Sequence, residues 1–152
     1  MTIRVGDTAP DFELPGVLEG DEALYRLSDF GGQSLVLVFY PADNSPVCTK
    51  QLVSYTDDIG HFNDAGAQVL ALSPQPVDSH RAFADKHDLA FPLLSDSGKA
   101  VGQAYGVLGP IGFYRRSVFV IDAEGLVTYA HRAVAGITFR PTDELVRALD
   151  QT

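Results

Sequence analysis

Cysteine occurs once in this chain, at position 48, inside the run Phe39-Tyr40-Pro41-Ala42-Asp43-Asn44-Ser45-Pro46-Val47-Cys48-Thr49-Lys50. Thiolate is the nucleophilic form of a cysteine, and it is favoured where backbone N–H groups converge on the sulfur. The neighbours supply such a place. Ser45 has the chemistry of a helix N-cap and Pro46 suits the first helical position, so Cys48 falls in the first turn of a helix. Upstream, Leu35 to Phe39 is an unbroken apolar run that reads as a buried strand, and Pro41 ends it. The thiol therefore sits at a strand-to-helix junction, as a candidate nucleophile or redox centre. A lone cysteine also serves elsewhere as a small core hydrophobe.

The rest of the pattern frames that junction. Ala9 to Gly32 mixes short apolar pairs with Gly, Pro and acidic residues, which predicts a small hairpin and a turn rather than long helices. After the strand from Leu35, the spacing predicts a helix over 46–64 stopped by Ala65-Gly66, and a buried strand over 68–73. A helix over 76–87, a short strand from Phe91 to Leu94 and a short helix from Ser97 to Tyr105 follow. Arg116 to Ile121, the turn Asp122-Ala123-Glu124-Gly125 and Leu126 to His131 read as a hairpin, and a last helix covers 141–149. Strand-helix-strand units imply parallel pairing, and the closing hairpin adds antiparallel strands. The expected class is α/β, a mixed β-sheet flanked by helices, thioredoxin-like, with an N-terminal hairpin extension. No repeat, low-complexity tract or linker interrupts the 152 residues, so a single domain over 1–152 is expected.

Eleven Lys and Arg against 20 Asp and Glu give a net charge of −9. That balance argues against a nucleic-acid partner and favours a neutral small substrate. No apolar run approaches membrane-spanning length, and Met1-Thr2-Ile3-Arg4-Val5-Gly6-Asp7 lacks the apolar stretch of a secretory signal, so a soluble cytoplasmic chain is expected. His61, His80, His87 and His131 are scattered without ligand spacing, and the glycines form no phosphate cradle; neither metal nor cofactor is expected. Asp57, Asp58 and Asp64 read as a solvated helix face.

The segment from Pro41 to Cys48 resembles the peroxiredoxin active-site signature, Pro-x-x-x-Thr/Ser-x-x-Cys. Tyr40-Pro41 through Thr49-Lys50 is similar to the short Q-type, or bacterioferritin-comigratory, subgroup of that alkyl hydroperoxide reductase and thiol-specific antioxidant family. Ala9-Pro10-Asp11-Phe12, Leu27-Ser28-Asp29-Phe30, Phe91-Pro92-Leu93-Leu94-Ser95-Asp96, Tyr105-Gly106-Val107 and Arg116-Ser117-Val118-Phe119-Val120-Ile121-Asp122 extend the resemblance along nearly the whole chain. It implies a thiol-dependent peroxidase in which Cys48 attacks the terminal oxygen of hydrogen peroxide or an organic hydroperoxide and becomes a sulfenic acid. It further implies that Ser45 aligns the peroxide through its hydroxyl, that Pro41 shields the sulfur from bulk water, and that Arg116 reaches across the sheet to Cys48 and the substrate oxygen. The backbone N–H groups of Val47 and Cys48 complete the site. Arg115, on the opposite face by strand alternation, reads as an ordinary salt-bridged surface arginine.

Thiol acidity alone does not account for fast peroxide reduction. A thiol of pKa about 8.5 is ~3% thiolate at pH 7, and lowering the pKa to about 6 gives ~90%, a ~30-fold gain. With a Brønsted slope of about 0.5, borrowed from thiol–disulfide exchange, the same shift costs ~18-fold in nucleophilicity and leaves a net gain of about twofold. The main effect must be stabilisation of charge on the departing oxygen.

Where many Q-type relatives carry a second cysteine, this chain has Val53. The sulfenic acid therefore needs an external thiol, which a low-molecular-weight thiol, a glutaredoxin-like protein or thioredoxin would supply. Ser45 stands in place of the commoner threonine, and Gln51 where relatives often have glutamate. Gln51 also occupies the position of the second cysteine of a Cys-x-x-Cys motif, which argues against a disulfide reductase. A non-enzymatic redox sensor or binding module that uses Cys48 as a switch remains the alternative. The apolar loop Gly106-Val107-Leu108-Gly109-Pro110-Ile111-Gly112-Phe113-Tyr114 either packs on its own chain or forms a homodimer surface through residues 107–114.

Overall fold

The computed structural model describes residues 3–109, 112–133 and 139–150. Its strands are β1 (Glu13–Leu18), β2 (Asp21–Arg26), β3 (Ser34–Phe39), β4 (Ala67–Ser73), β5 (Leu93–Ser95), β6 (Ser117–Ile121) and β7 (Val127–Arg132). The helices are α1 (Pro46–Asp57), α2 (Ile59–Asp64), α3 (Val77–His87), α4 (Ala100–Ala104) and α5 (Thr142–Asp150), with a 3-10 turn at Leu27–Phe30. The strands form one sheet in the order β2-β1-β5-β4-β3-β6-β7. β3 runs parallel to β4 and antiparallel to β6, and β4 runs parallel to β5. The N-terminal hairpin is built into the sheet, because β1 pairs antiparallel with β5 through Gly16 and Leu94.

β3 shows why both faces must be covered. Val36, Val38 and the following Tyr40 join one core with Cys48, Leu52, Tyr55 and Leu145, while Leu35, Leu37 and Phe39 join a second with Tyr105, Tyr114 and Phe119. Alternate side chains of an extended strand point to opposite faces, and here both sets are apolar. Helices α1, α2, α3 and α5 contribute to the first core; α4 and the N-terminal segment contribute to the second. The Phe39 ring meets Tyr105, Tyr114 and Phe119 at centroid distances of 5.3, 5.7 and 5.6 Å. These aromatic contacts anchor the end of β3, where the chain leaves for Cys48.

The helix expected over 46–64 is broken at Asp58, which adopts φ −100° and ψ 14°. Asp57, Asp58 and Gly60 are weak helix formers, and the bend sets Phe62 edge-on to Tyr55 at 5.8 Å. The helix expected from Ser97 begins at Ala100, because the buried Asp96 carboxylate accepts from the N–H groups of Val101 and Gly102 at 3.3 and 2.8 Å. The strand expected from Phe91 begins at Leu93, after Pro92, which has no N–H to donate to a ladder. The closing hairpin forms as expected, its turn held by Asp122 Oδ1, which accepts from the N–H groups of Glu124 and Leu126. Among the described residues no helix is long and apolar enough to cross a membrane.

Candidate active site

The start of α1 follows from local chemistry. Ser45 is its N-cap, extended at φ −70° and ψ 146°, and Pro46 follows at the first helical position. Ser45 Oγ accepts from the Cys48 N–H at 3.3 Å, and the Ser45 carbonyl accepts from Thr49 N–H at 2.9 Å. Capping leaves the Ser45 hydroxyl hydrogen and a lone pair for a further partner. Val47 and Cys48 lie in the first turn, where backbone N–H groups have no helical acceptor four residues back. Just before the cap, Asn44 takes the left-handed conformation at φ 65°, one that asparagine tolerates better than most residues.

Cys48 is wholly buried, and so is the group that meets it. Arg116, 4% exposed, lies immediately before β6. Its Nη2 donates to Cys48 Sγ at 3.3 Å, and its Nη1 donates to Gln51 Oε1 at 2.7 Å. Strand β6 pairs with β3 from Ser117↔Phe39, so the antiparallel register brings Arg116 to the end of β3 from which the loop to α1 departs. The guanidinium fork thus spans two positions one helical turn apart on α1. It places positive charge against the buried sulfur.

Gln51 and Tyr55, both buried, extend this arrangement along α1, and Tyr55 is one that the sequence reading did not place there. Gln51 Nε2 donates to Tyr55 Oη at 3.3 Å, and Tyr55 Oη donates to the Arg140 carbonyl at 2.5 Å. Burial holds the Tyr55 hydroxyl up at about 12, so it remains a donor. The spacing from Cys48 through Gln51 to Tyr55 marks one helical face, a signal available in the sequence once α1 is assumed. His80, read as one of four scattered histidines, is instead fully buried, with Nδ1 at 2.7 Å from Asp43 Oδ2.

The other expected residues fall as follows. Pro41 is half-buried in the loop between β3 and α1. Val53 is half-buried, packs against the first core and borders the same surface of α1 as Pro46, Thr49 and Lys50. Arg115 departs from the expected salt bridge: it is half-buried and donates Nε to the Ala133 carbonyl at 3.2 Å. In the apolar loop, Val107, Leu108 and Tyr114 pack into the second core, whereas Phe113 is 66% exposed. Residues 110 and 111 of that loop lie outside the described residues.

Residues 5–130 match the model of the AhpC/TSA family. Peroxiredoxin Q, chloroplastic, of Triticum aestivum is 38% identical over 131 aligned residues, covering 85% of this chain and 59% of that protein. The 2-cysteine peroxiredoxin, chloroplastic, of Chattonella marina var. antiqua is 35% identical over 158 aligned residues, covering 98% of this chain and 80% of that protein. The crystal structure of Enterococcus faecalis AhpC superposes with a TM-score of 0.91 at 26% identity, covering 99% of this chain and 92% of that one. A buried cysteine capped by Ser45 and met by Arg116, on a sheet of this topology and with this similarity, places the chain in the AhpC/TSA family, among the peroxiredoxins.

Proposed function

We propose that this chain is a thiol-dependent peroxidase that reduces hydrogen peroxide or an organic hydroperoxide through Cys48. The observation that carries the reading is the 3.3 Å contact from Arg116 Nη2 to the sulfur of the chain's single cysteine. A sulfur lone pair forms a bond to the terminal peroxide oxygen as the O–O bond breaks. Sulfur is oxidised by two electrons to the sulfenic acid, and the departing oxygen takes a proton from solvent to leave as water or an alcohol. Charge moves from sulfur to that oxygen, so fixed donors nearby act where they are needed. Arg116, the hydroxyl of Ser45 and the N–H of Val47 are assigned this role, with Pro41 limiting access by water.

The second half of the cycle belongs to another molecule. One external thiol condenses with the sulfenic acid to give a mixed disulfide and water, and a second thiol releases Cys48 and leaves as a disulfide. A low-molecular-weight thiol, a glutaredoxin-like protein and thioredoxin all fit this chemistry. The exposed Phe113 supports a homodimer contact through residues 107–114. We place this activity in one domain and in the cytoplasm, a setting that similarity to putative peroxiredoxins of Mycobacterium tuberculosis and Coxiella burnetii supports.

Rapid mixing with hydrogen peroxide and with an alkyl hydroperoxide, followed by recovery with a panel of thiols, tests the reading. Oxidation of Cys48 far faster than that of free cysteine, with catalytic turnover on adding a thiol, is expected. A single oxidation that no small thiol or thioredoxin reverses would favour the redox-sensor alternative.

A further inference from the structure

The line of hydrogen bonds that starts at Cys48 does not stop at Gln51. Tyr55, one turn further along α1, has no exposed surface, and neither has Gln51. Tyr55 Oη donates to the Arg140 carbonyl at 2.5 Å and accepts from Gln51 Nε2 at 3.3 Å, while Gln51 Oε1 accepts from Arg116 Nη1 at 2.7 Å. The Tyr55 ring is itself set edge-on against Phe62, at 5.8 Å, and Phe139, at 6.0 Å. A ring packed in this way has little freedom to aim its hydroxyl elsewhere.

The two ends of this line fix its direction. A backbone carbonyl only accepts and a guanidinium only donates, whereas the hydroxyl and the amide between them can do either. A phenol has one hydrogen. Burial keeps that hydrogen on Tyr55, and the Arg140 carbonyl takes it, so towards Gln51 the hydroxyl oxygen can only accept. Gln51 must then present Nε2 to Tyr55 and Oε1 to Arg116. The turned amide would set donor against donor at Arg116 and leave its oxygen facing another oxygen with no hydrogen to give. Without the hydroxyl, Nε2 would be a buried donor with nothing to meet, and the amide would be drawn out of this position to find a partner. Arg116, whose Nη2 meets Cys48 Sγ from the same planar group, would turn with it.

Accepting the peroxidase reading of Cys48, we propose that Tyr55 is a positioning residue for the oxidation step: anchored on the Arg140 carbonyl, its hydroxyl holds the Gln51 amide, and through it the Arg116 fork, in the orientation that serves the sulfur. It acts through Gln51 rather than on the peroxide. The Arg140 side chain is in turn bound to Glu144 on α5, so α5 takes part in aligning the reactive end of α1.

Tyr55→Phe removes one oxygen and keeps the ring. Its second-order oxidation by hydrogen peroxide is expected to fall about tenfold, the factor by which one unpaired buried donor shifts an equilibrium. Heteronuclear NMR of the Gln51 carboxamide, identified by its absence from Gln51→Met, reads the amide without any peroxide. Its hydrogens should exchange with water at least about tenfold faster in Tyr55→Phe than in wild type. A double-mutant cycle supplies the readout that packing alone would not move. In Gln51→Met, adding Tyr55→Phe should change the oxidation rate by less than about twofold, because the link is already cut, while the melting temperature still drops for want of the bond to Arg140. Phe62→Leu, which loosens the same ring without touching its hydroxyl, should leave the oxidation rate and the Gln51 resonances unchanged at a comparable loss of melting temperature. Equal slowing by Tyr55→Phe with and without the Gln51 amide, or unaltered Gln51 resonances in Tyr55→Phe, overturns the proposal. Should Tyr55→Phe alone not fold, Gln51→Met and the double variant, in which no amide donor is left unpaired, carry the comparison, and unequal oxidation rates between them overturn it. A wild-type protein that no peroxide oxidises faster than free cysteine would sink the peroxidase reading, and the Gln51 resonances would still decide whether Tyr55 holds the amide.

Discussion

Arg116 and Gln51 are held 2.7 Å apart, Nη1 to Oε1, while the same guanidinium keeps Nη2 on Cys48 Sγ. A neutral amide thus fixes the orientation of a buried cation without cancelling its charge. Both α1 partners lie on the helix face that enters the core, and the planar fork addresses them together. The amide sets no charge of its own against the guanidinium that faces the sulfur.

Replacing Arg116 by Met should therefore slow peroxide oxidation of Cys48 by about 10²-fold to 10³-fold, the cost of removing one fixed donor from a developing anion. Arg116→Lys should recover only part of this, since one ammonium cannot hold the two-pronged geometry. Stopped-flow oxidation, measured beside the thiolate titration of each variant, separates the two explanations. If the loss in rate equals that expected from the thiolate fraction alone, transition-state stabilisation by Arg116 is refuted.

Gln51→Glu tests the directionality of the relay. Gln51 accepts from Arg116 and donates to Tyr55, which in turn donates to the Arg140 carbonyl. A carboxylate has no hydrogen to give, so Tyr55 must donate to it and release that carbonyl. The variant should lose about 1–3 kcal/mol, the cost of a buried acceptor left unpaired, and should also oxidise more slowly because the new charge offsets Arg116. Urea denaturation and peroxide kinetics check the two effects. Equal stability and equal rate would show that the amide's orientation is immaterial.

The capped helix start was legible because Ser45, Pro46 and Cys48 act within one turn, where short-range chemistry decides the conformation. The sheet was legible for a similar reason, since the apolar runs at Leu35–Phe39 and Val118–Ile121 declare buried strands. Arg116 was accessible only through family resemblance, for 68 residues separate it from Cys48. Asp43 and His80, 37 residues apart, carry no periodic signature at all. Their pairing exists because β3, β4 and β5 lie side by side, which brings the loop after β3 against the first turns of α3. The break at Asp58 was missed because a run of weak helix formers only permits a bend, and packing of Phe62 decides it.

Phe113 offers a direct test of self-association. Its ring stands 66% exposed near Lys99 Nζ, at 5.8 Å from the centroid, while its neighbour Tyr114 is buried. Light scattering should give the mass of a dimer for the wild-type chain and of a monomer for Phe113→Asp. Identical masses for the two proteins would reject the contact.

The end of the chain should show an acid transition of its own. Arg140 and then Tyr129 hold the Glu144 carboxyl down at about 2, through contacts of 2.8 and 2.5 Å to Oε2. A carboxyl depressed below its unfolded value of about 4.3 stabilises the fold above that pH and ceases to do so as the pH falls towards the folded value. The stability difference between wild type and Glu144→Gln should thus be constant near neutrality and shrink as the pH drops from about 4.3 towards 2. Denaturation curves across that range measure it. A difference that does not depend on pH would show that the contacts act through packing alone.

Val53→Cys asks whether α1 can open enough to complete a two-cysteine cycle within the chain. In an intact helix, Cα atoms five residues apart are about 8.6 Å from one another, beyond the roughly 7 Å limit for a disulfide. Val53 is also turned about 140° from Cys48 around the α1 axis, half-buried where Cys48 is wholly buried. A bond between positions 48 and 53 therefore requires the first turns to unwind, carrying Ser45 and the loop with them. After one equivalent of peroxide, this variant should lose both free thiols, at a rate set by opening and independent of peroxide once oxidation is complete. Persistence of the sulfenic acid in Val53→Cys, trapped by dimedone with no disulfide detected by mass, would show that α1 stays wound and that an external thiol must reach Cys48 by another route.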